Sequence, residues 1–164
     1  MTAQQIKDWA ELANYEAGMM VAFKNKLHEL GVKRNSKGLS PEDDILYNGM
    51  LEGFLLHVRN LRDFLFSSKS AYPDDLLARD FFDNPTDWDS KIPAIPPYLQ
   101  SCRDKLNTQL AHLSKRRPEI VSQGRKGWNT EQLVDDIAET WNRFIDSLPD
   151  DRKSLFKRIK ILPA

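Results

Sequence analysis

Cysteine is nearly absent from this sequence, whose one thiol is that of Cys102. A lone cysteine has no partner for an internal disulfide, so a reducing compartment is the simplest expectation. No run of eighteen apolar residues occurs, and the opening MTAQQIKDW lacks the hydrophobic region of a signal peptide. We therefore expect a cytoplasmic protein with no membrane partner.

The sequence also lacks an excess of positive or negative charge, because 24 Lys and Arg residues balance 24 Asp and Glu residues. This balance excludes a general electrostatic attraction to nucleic acid, so any such binding would need a local basic patch. Glycine-rich phosphate loops, CxxC pairs, HExxH and GxSxG are also absent. The absences remove support for most common enzyme classes, and we expect neither a metal nor a cofactor.

Alternating strand patterns are lacking, whereas apolar residues recur at helical spacings of three and four along most of the chain. Capping residues, glycines and prolines set the predicted helix boundaries. The sequence predicts an all-α, bundle-like single domain over residues 1–164. Its four principal helices and one short C-terminal helix are predicted at Ala3 to Gly31, Pro41 to about Ser67, Pro97 to Arg117, Thr130 to Pro149, and Asp150 to Ile159.

Two segments between the second and third helices break this pattern. The stretch DDLLARDFF has acids leading a short apolar turn, which predicts a brief helix. The proline-rich segment from Asn84 to Pro96 is too irregular for a helix, but it carries Trp88, Ile92 and Ile95. We expect these three side chains to anchor a long, ordered loop across the bundle.

The helix predicted within the stretch from Asp43 to Ser67 is apolar around most of its circumference, so we expect it to be central. Its HVRNLRD segment sets ionisable groups among large hydrophobic residues, where each group needs a partner. Arg59 and Asp63 are four residues apart, which predicts an ion pair. One interpretation is a structural ion pair beside a satisfied histidine. The other is that Arg59 or Arg62 binds phosphate, with His57 alongside.

Glu16 is a carboxylate on the apolar stripe of the first predicted helix. A charge in that position needs a partner, and we expect an arginine or histidine of a neighbouring helix to supply it. We predict that Glu16, His57 and Arg59 form one polar network inside the bundle. The network is either structural or orients a catalytic base.

The third predicted helix carries His112 on a flank shared with Lys105, Gln109 and Arg116. One interpretation is an ordinary solvated face. The other gives His112 a role as a proton carrier or phosphate-facing donor, next to a basic patch that binds a nucleic-acid backbone. The patch consists of Lys115, Arg116, Arg117, Arg125 and Lys126.

The segment LNTQLAH, with a polar residue at Asn107 and a histidine at His112, resembles the motif of the HEPN superfamily. That motif is an arginine, a short polar-led spacer and a histidine, and Leu106 stands here where the arginine is expected. The resemblance implies an often dimeric helical bundle that cleaves RNA without a metal, as in toxin–antitoxin and other defence systems. It implies catalytic roles for Asn107 and His112, with Arg59 or Arg62 replacing the missing cation if the second helix lies alongside. The wider stretch of about residues 55 to 117 is also similar to a group of bacterial proteins without an assigned activity.

Two functions follow from these patterns. As an enzyme, the chain is a metal-independent endoribonuclease, in which His112 transfers a proton and an arginine stabilises the phosphorane charge. As a non-catalytic module, it pairs with itself as a homodimer or with another protein such as a cognate antitoxin. The polar clusters are then structural.

Overall fold

The computed structural model describes residues 2–70, 72–103, 105–106 and 127–160. This part of the chain is helical and contains no strand, which confirms the all-α class. None of its helices is both long and apolar enough to cross a membrane. The elements are α1 at Ala3–Lys37, α2 at Pro41–Phe66, a 3-10 helix at Ala78–Phe81, α3 at Thr86–Asp89, α4 at Pro97–Ser101, α5 at Thr130–Ser147 and α6 at Asp150–Lys153.

The starts of α1 and α2 are where the capping residues predict them. Thr2 and Gln5 form a reciprocal capping box at α1, and the Ser40 hydroxyl accepts the Asp43 backbone N–H at α2. These interactions satisfy amide groups that a helix cannot pair internally. They depend only on residues within one turn, which is why the sequence alone predicts them.

The predicted end of α1 at Gly31 is wrong, because the helix continues to Lys37. Gly31 keeps a helical backbone, and the helix stops at Gly38, which has a positive φ of 76°. In the added turn, Lys33 forms an ion pair with Asp43 and Arg34 forms one with Asp44. Contacts with the start of α2 thus stabilise the last turns of α1.

The long helices α1 and α2 form an antiparallel pair, and α5 packs against both. The buried apolar side chains make one continuous cluster centred on aromatic rings. Phe144 of α5 is fully buried and contacts the rings of Phe64, Phe81, Trp88 and Phe156. Helix α2 therefore lies at the centre of the described fold, as its apolar pattern predicts.

The segment from Asn84 to Pro96 is docked onto this core. Trp88 is completely buried, and its indole N–H donates to the Leu65 carbonyl at 3.1 Å. Ile92 and Ile95 also pack against the core. The prediction that these side chains anchor the segment is confirmed. The segment also includes one short helix, α3, where the sequence predicts only an irregular loop. The brief helix predicted in DDLLARDFF is the 3-10 helix.

Two other helix predictions have different outcomes. The third predicted helix is described at α4 and at a few following residues, and most of its span to Arg117 lies outside the described residues. The C-terminal helix ends at Lys153 instead of Ile159. Asn14 and Asn142 side chains bond the backbone of residues 155–159. Since those backbone groups have tertiary partners, the chain does not continue the helix there.

Candidate histidine–glutamate site

Three polar side chains meet where α1 packs on α2. The Glu16 Oε2 atom lies 2.7 Å from His57 Nδ1 and accepts a second hydrogen bond, at 3.0 Å, from the Asn60 amide. Glu16 belongs to α1, while His57 and Asn60 lie three residues apart on one side of α2. The expectation that a neighbouring helix supplies a partner for Glu16 is therefore confirmed, and the partner is a histidine.

Two aromatic rings complete the surroundings of His57. Phe23 of α1 stacks on the imidazole with ring centroids 5.4 Å apart and planes 27° apart. Tyr15 meets the same imidazole edge-on at 5.9 Å. We call Tyr15, Glu16, Phe23, His57 and Asn60 the His57 cluster. Because the His57 side chain is only 9% exposed, the two rings and Glu16 hold it in one orientation.

The contact with Glu16 determines which ring nitrogen of His57 carries a proton. An ionised carboxylate can only accept, so Nδ1 is the donor in this pair. No hydrogen bond to Nε2 comes from the described part of the chain, and Nε2 is not one of its buried unpaired atoms. Nε2 is thus the ring nitrogen of His57 that has no hydrogen-bond partner among the described residues, and it is the one that can exchange a proton with a bound molecule.

Arg59 does not join the cluster. The prediction that Glu16, His57 and Arg59 form one network is therefore wrong for Arg59. An α-helix turns by about 100° per residue, which puts Arg59 about 200° from His57 on the other side of α2. The predicted Arg59–Asp63 ion pair is also absent among the described residues. Asp63 bonds Arg62 instead, at 2.8 Å. The Arg62 side chain is only 12% exposed, and the Asp63 carboxylate gives its charge a partner.

Most of the other predicted site residues lie outside the described residues. These are Asn107, His112, Lys115, Arg116, Arg117, Arg125 and Lys126. Their roles in catalysis and RNA binding stay predictions. Lys105, on the same predicted flank, is described, and its ammonium lies 3.9 Å from the Trp128 ring centre. Burial lowers the pKa of this lysine.

A second polar group on α5 was not predicted from the sequence. Asp136 is buried, and its Oδ1 accepts the Gln132 amide at 2.8 Å, while Oδ2 has no partner among the residues that the structure describes. Nearby, Tyr98 accepts the Asn129 backbone N–H at 2.8 Å, and burial raises the pKa of its phenol. The sequence does contain an indication of this buried acid, because Asp136 follows Leu133 by three residues on the apolar stripe of α5.

No metal-binding group adds to the His57 cluster within the described part of the chain. Among the residues described, no group of three or more His, Cys, Asp or Glu side chains could hold a metal ion. A groove of about 180 Å³ lies between the proline-rich segment and α5, and none of its lining residues belongs to the cluster. The side chains of the His57 cluster can transfer protons and form hydrogen bonds.

Comparison of the chain with protein-family models, curated proteins and solved structures finds no match. The function must therefore be argued from the chemistry of the site.

Proposed function

We propose that the chain is a HEPN-like endoribonuclease that works without a metal and uses His57 as a proton carrier. The observation that carries this proposal is the 2.7 Å contact between Glu16 and His57 Nδ1. A histidine fixed by a carboxylate on one nitrogen has the other nitrogen available for acid–base chemistry. RNA cleavage needs such a group, because a 2′-hydroxyl must lose a proton and the leaving oxygen must gain one.

Within this proposal, Glu16 has two tasks. It fixes the Nδ1–H tautomer, and its negative charge stabilises the imidazolium that forms when Nε2 accepts a proton. Asn60 shares the same carboxylate oxygen and restricts its rotation. The proton of the 2′-hydroxyl would pass to Nε2 while that hydroxyl oxygen attacks the neighbouring phosphorus.

The cation that stabilises the phosphorane has to come from outside the His57 cluster. Arg59 lies on the other side of α2, so we assign this task to the basic patch of Lys115, Arg116, Arg117, Arg125 and Lys126. Asn107 and His112 keep the substrate-contacting roles that the HEPN resemblance implies. Two histidines would then divide the base and acid roles between them.

Cleavage of single-stranded RNA in EDTA tests the proposal. The purified chain should cut a mixed-sequence RNA under these conditions, and His112→Ala should slow cleavage while leaving the circular dichroism spectrum unchanged. Lys115→Ala should weaken RNA binding and make it less dependent on salt. If no RNA in a broad panel is cut, the nuclease proposal fails.

A second function, self-association, is favoured by the exposed apolar side chains beside the cluster. Leu12 and Tyr15 of α1 are 59% and 57% exposed, and Leu56 of α2, the neighbour of His57, is 45% exposed. Apolar side chains grouped on one surface are typical of an interaction site. The proposed partner is a second copy of the chain.

Sedimentation equilibrium tests this second function. The wild type should be heavier than a monomer, and the double variant Leu12→Ser/Leu56→Ser should shift it to the monomer mass. Ile45→Ser is the matched control, since Ile45 is 73% exposed at the distant start of α2. A monomeric wild type contradicts self-association.

A further inference from the structure

Gly53 is in contact with the ring that stacks on His57. A Cβ atom added at Gly53 would lie 2.8 Å from Cε2 and 2.9 Å from Cζ of Phe23. Unbonded carbons are most stable at about 3.5–4.0 Å, so the ring could not stay in place beside an alanine. Gly53 has no side chain, and the Phe23 ring occupies the space that one would fill.

The position of Phe23 in turn affects the histidine. Gly53 and His57 are one helical turn apart on the same side of α2, and the Phe23 ring lies across both. The ring packs on the imidazole plane, while Glu16 fixes the position of one atom, Nδ1. A single hydrogen bond leaves the imidazole free to rotate about it. The stacked Phe23 ring restricts that rotation from one face of the imidazole, and the edge-on Tyr15 ring adds a second contact.

We propose that Gly53 is a positioning residue for His57 and acts through Phe23. The inference deepens the proposed function, because it names a residue that sets the orientation of the proposed proton carrier. It concerns the geometry of the free protein, so it can be tested whether or not the chain cleaves RNA.

Gly49 provides a matched control on the same helix. It lies one turn before Gly53, and a Cβ atom built on it meets nothing within 4 Å. Both glycines have ordinary helical backbones, since Gly38 is the one described glycine with positive φ. Alanine at either position therefore has the same effect on helix propensity. A difference between the two variants reports the contact with Phe23.

Nuclear magnetic resonance of the His57 ring is the direct measurement. In the wild type, ring protons of His57 should resonate upfield of those of the exposed His28, because the Phe23 ring shields them. Long-range nitrogen spectra should show Nδ1 protonated. Gly53→Ala should move the ring protons towards the His28 positions and reduce the Nδ1–H population, while Gly49→Ala leaves both unchanged.

The double variant Phe23→Ala/Gly53→Ala shows whether Gly53 acts through Phe23. Once the ring has been removed, Gly53→Ala should cause no further change in the His57 spectrum. If Gly53→Ala alone does not fold, the double variant should restore folding. The proposal is overturned if Gly53→Ala leaves the His57 signals in place, if its effect persists without Phe23, or if the double variant fails to restore folding. RNA cleavage by the wild type is scored separately, so its absence would contradict the proposed function and leave this result intact.

Discussion

Glu16 is the residue on which the state of His57 depends most directly. Its carboxylate serves two donors from α2, and it is partly exposed, with 27% of its side chain accessible. Water therefore compensates for part of the cost of burying its charge. His57 is far less exposed and has less access to water as a replacement partner for Nδ1. Loss of Glu16 should therefore disturb His57 more than it disturbs the exposed side chains around it.

Glu16→Ala should lower the free energy of unfolding by about 1–3 kcal/mol, because it leaves the buried Nδ1–H of His57 without an acceptor. Urea denaturation measures this change. Glu11→Ala, at an exposed position on the same helix, should alter stability by less than about 0.5 kcal/mol. Equal effects of the two variants would show that the pair adds nothing to stability.

Asp43 gives a pH dependence with a defined sign. The hydrogen bond from Lys33 holds the pKa of the Asp43 carboxyl below its ordinary value, with the Ser40 hydroxyl assisting. A lowered folded-state pKa means that the stabilisation is present above about pH 4 and is lost as pH falls through the folded-state value.

Asp43→Asn should therefore destabilise the protein at pH 7, and the difference from wild type should shrink as the pH approaches 2. Thermal unfolding over this pH range measures the effect. Glu42→Gln removes an exposed neighbouring acid and serves as the control. A stability difference that is the same at every pH would contradict the assignment to Asp43.

At the scale of elements, the extra length of α1 is the main departure from the sequence prediction. The last turns run past Gly31 and stop at Gly38, where the backbone has a positive φ that glycine adopts most easily. The two glycines thus have opposite roles in one helix. Gly31 is tolerated within it, whereas Gly38 ends it.

Gly31→Ala should raise the free energy of unfolding by about 0.5–1 kcal/mol, since alanine is the better helix former and meets no atom within 4 Å. Gly38→Ala should lower it by about 1–3 kcal/mol because of backbone strain. Chemical denaturation of both variants checks the pair. If Gly31→Ala destabilises and Gly38→Ala does not, the helix ends at Gly31 in solution.

Across the whole molecule, Trp88 connects the long segment after α2 to the aromatic core. It is buried, bonds the Leu65 carbonyl, and contacts the Phe144 ring at 5.4 Å. The backbone hydrogen bonds within the segment are local and join residues 84–92 to one another, so its docking onto the core depends on this side chain and on the two isoleucines.

Trp88→Ala should cost about 3–5 kcal/mol, the usual range for removing a large buried aromatic. Limited proteolysis should then cut the segment from Asn84 to Pro96 in the variant but not in the wild type. Tyr72→Ala, at a residue that is 69% exposed, is the control and should leave both properties unchanged. Rapid cleavage of the wild-type segment would show that it is not docked in solution.

The features that the sequence predicted correctly depend on nearby residues or on burial pattern. The capping box of Thr2 and Gln5 is local, and Glu16 stands out because an apolar stripe surrounds it. The features predicted wrongly depend on which groups meet in space. The last turns of α1 form ion pairs with Asp43 and Asp44, and Asp63 pairs with Arg62 rather than with Arg59.

The candidate site was predictable in part for the same reason. The sequence predicts the pairing of His57 and Glu16, because the charge of Glu16 and the ring nitrogens of His57 lie among apolar residues and need partners. Arg59 borders the same apolar pattern in the sequence, but it is two residues from His57, and two residues along a helix is a rotation to the opposite side. The stacking of Phe23 on His57 was not predictable, because it requires the register between α1 and α2.

The central claim is that His57, held by Glu16, transfers the proton during RNA cleavage. The most direct test is the single-turnover cleavage rate in EDTA for His57→Gln and His28→Gln. His28 is 67% exposed on the same protein and controls for loss of a histidine as such. Acid–base catalysis predicts that His57→Gln is about 10²–10⁴-fold slower than wild type while His28→Gln cleaves at the wild-type rate. Equal rates for the two variants would contradict the claim.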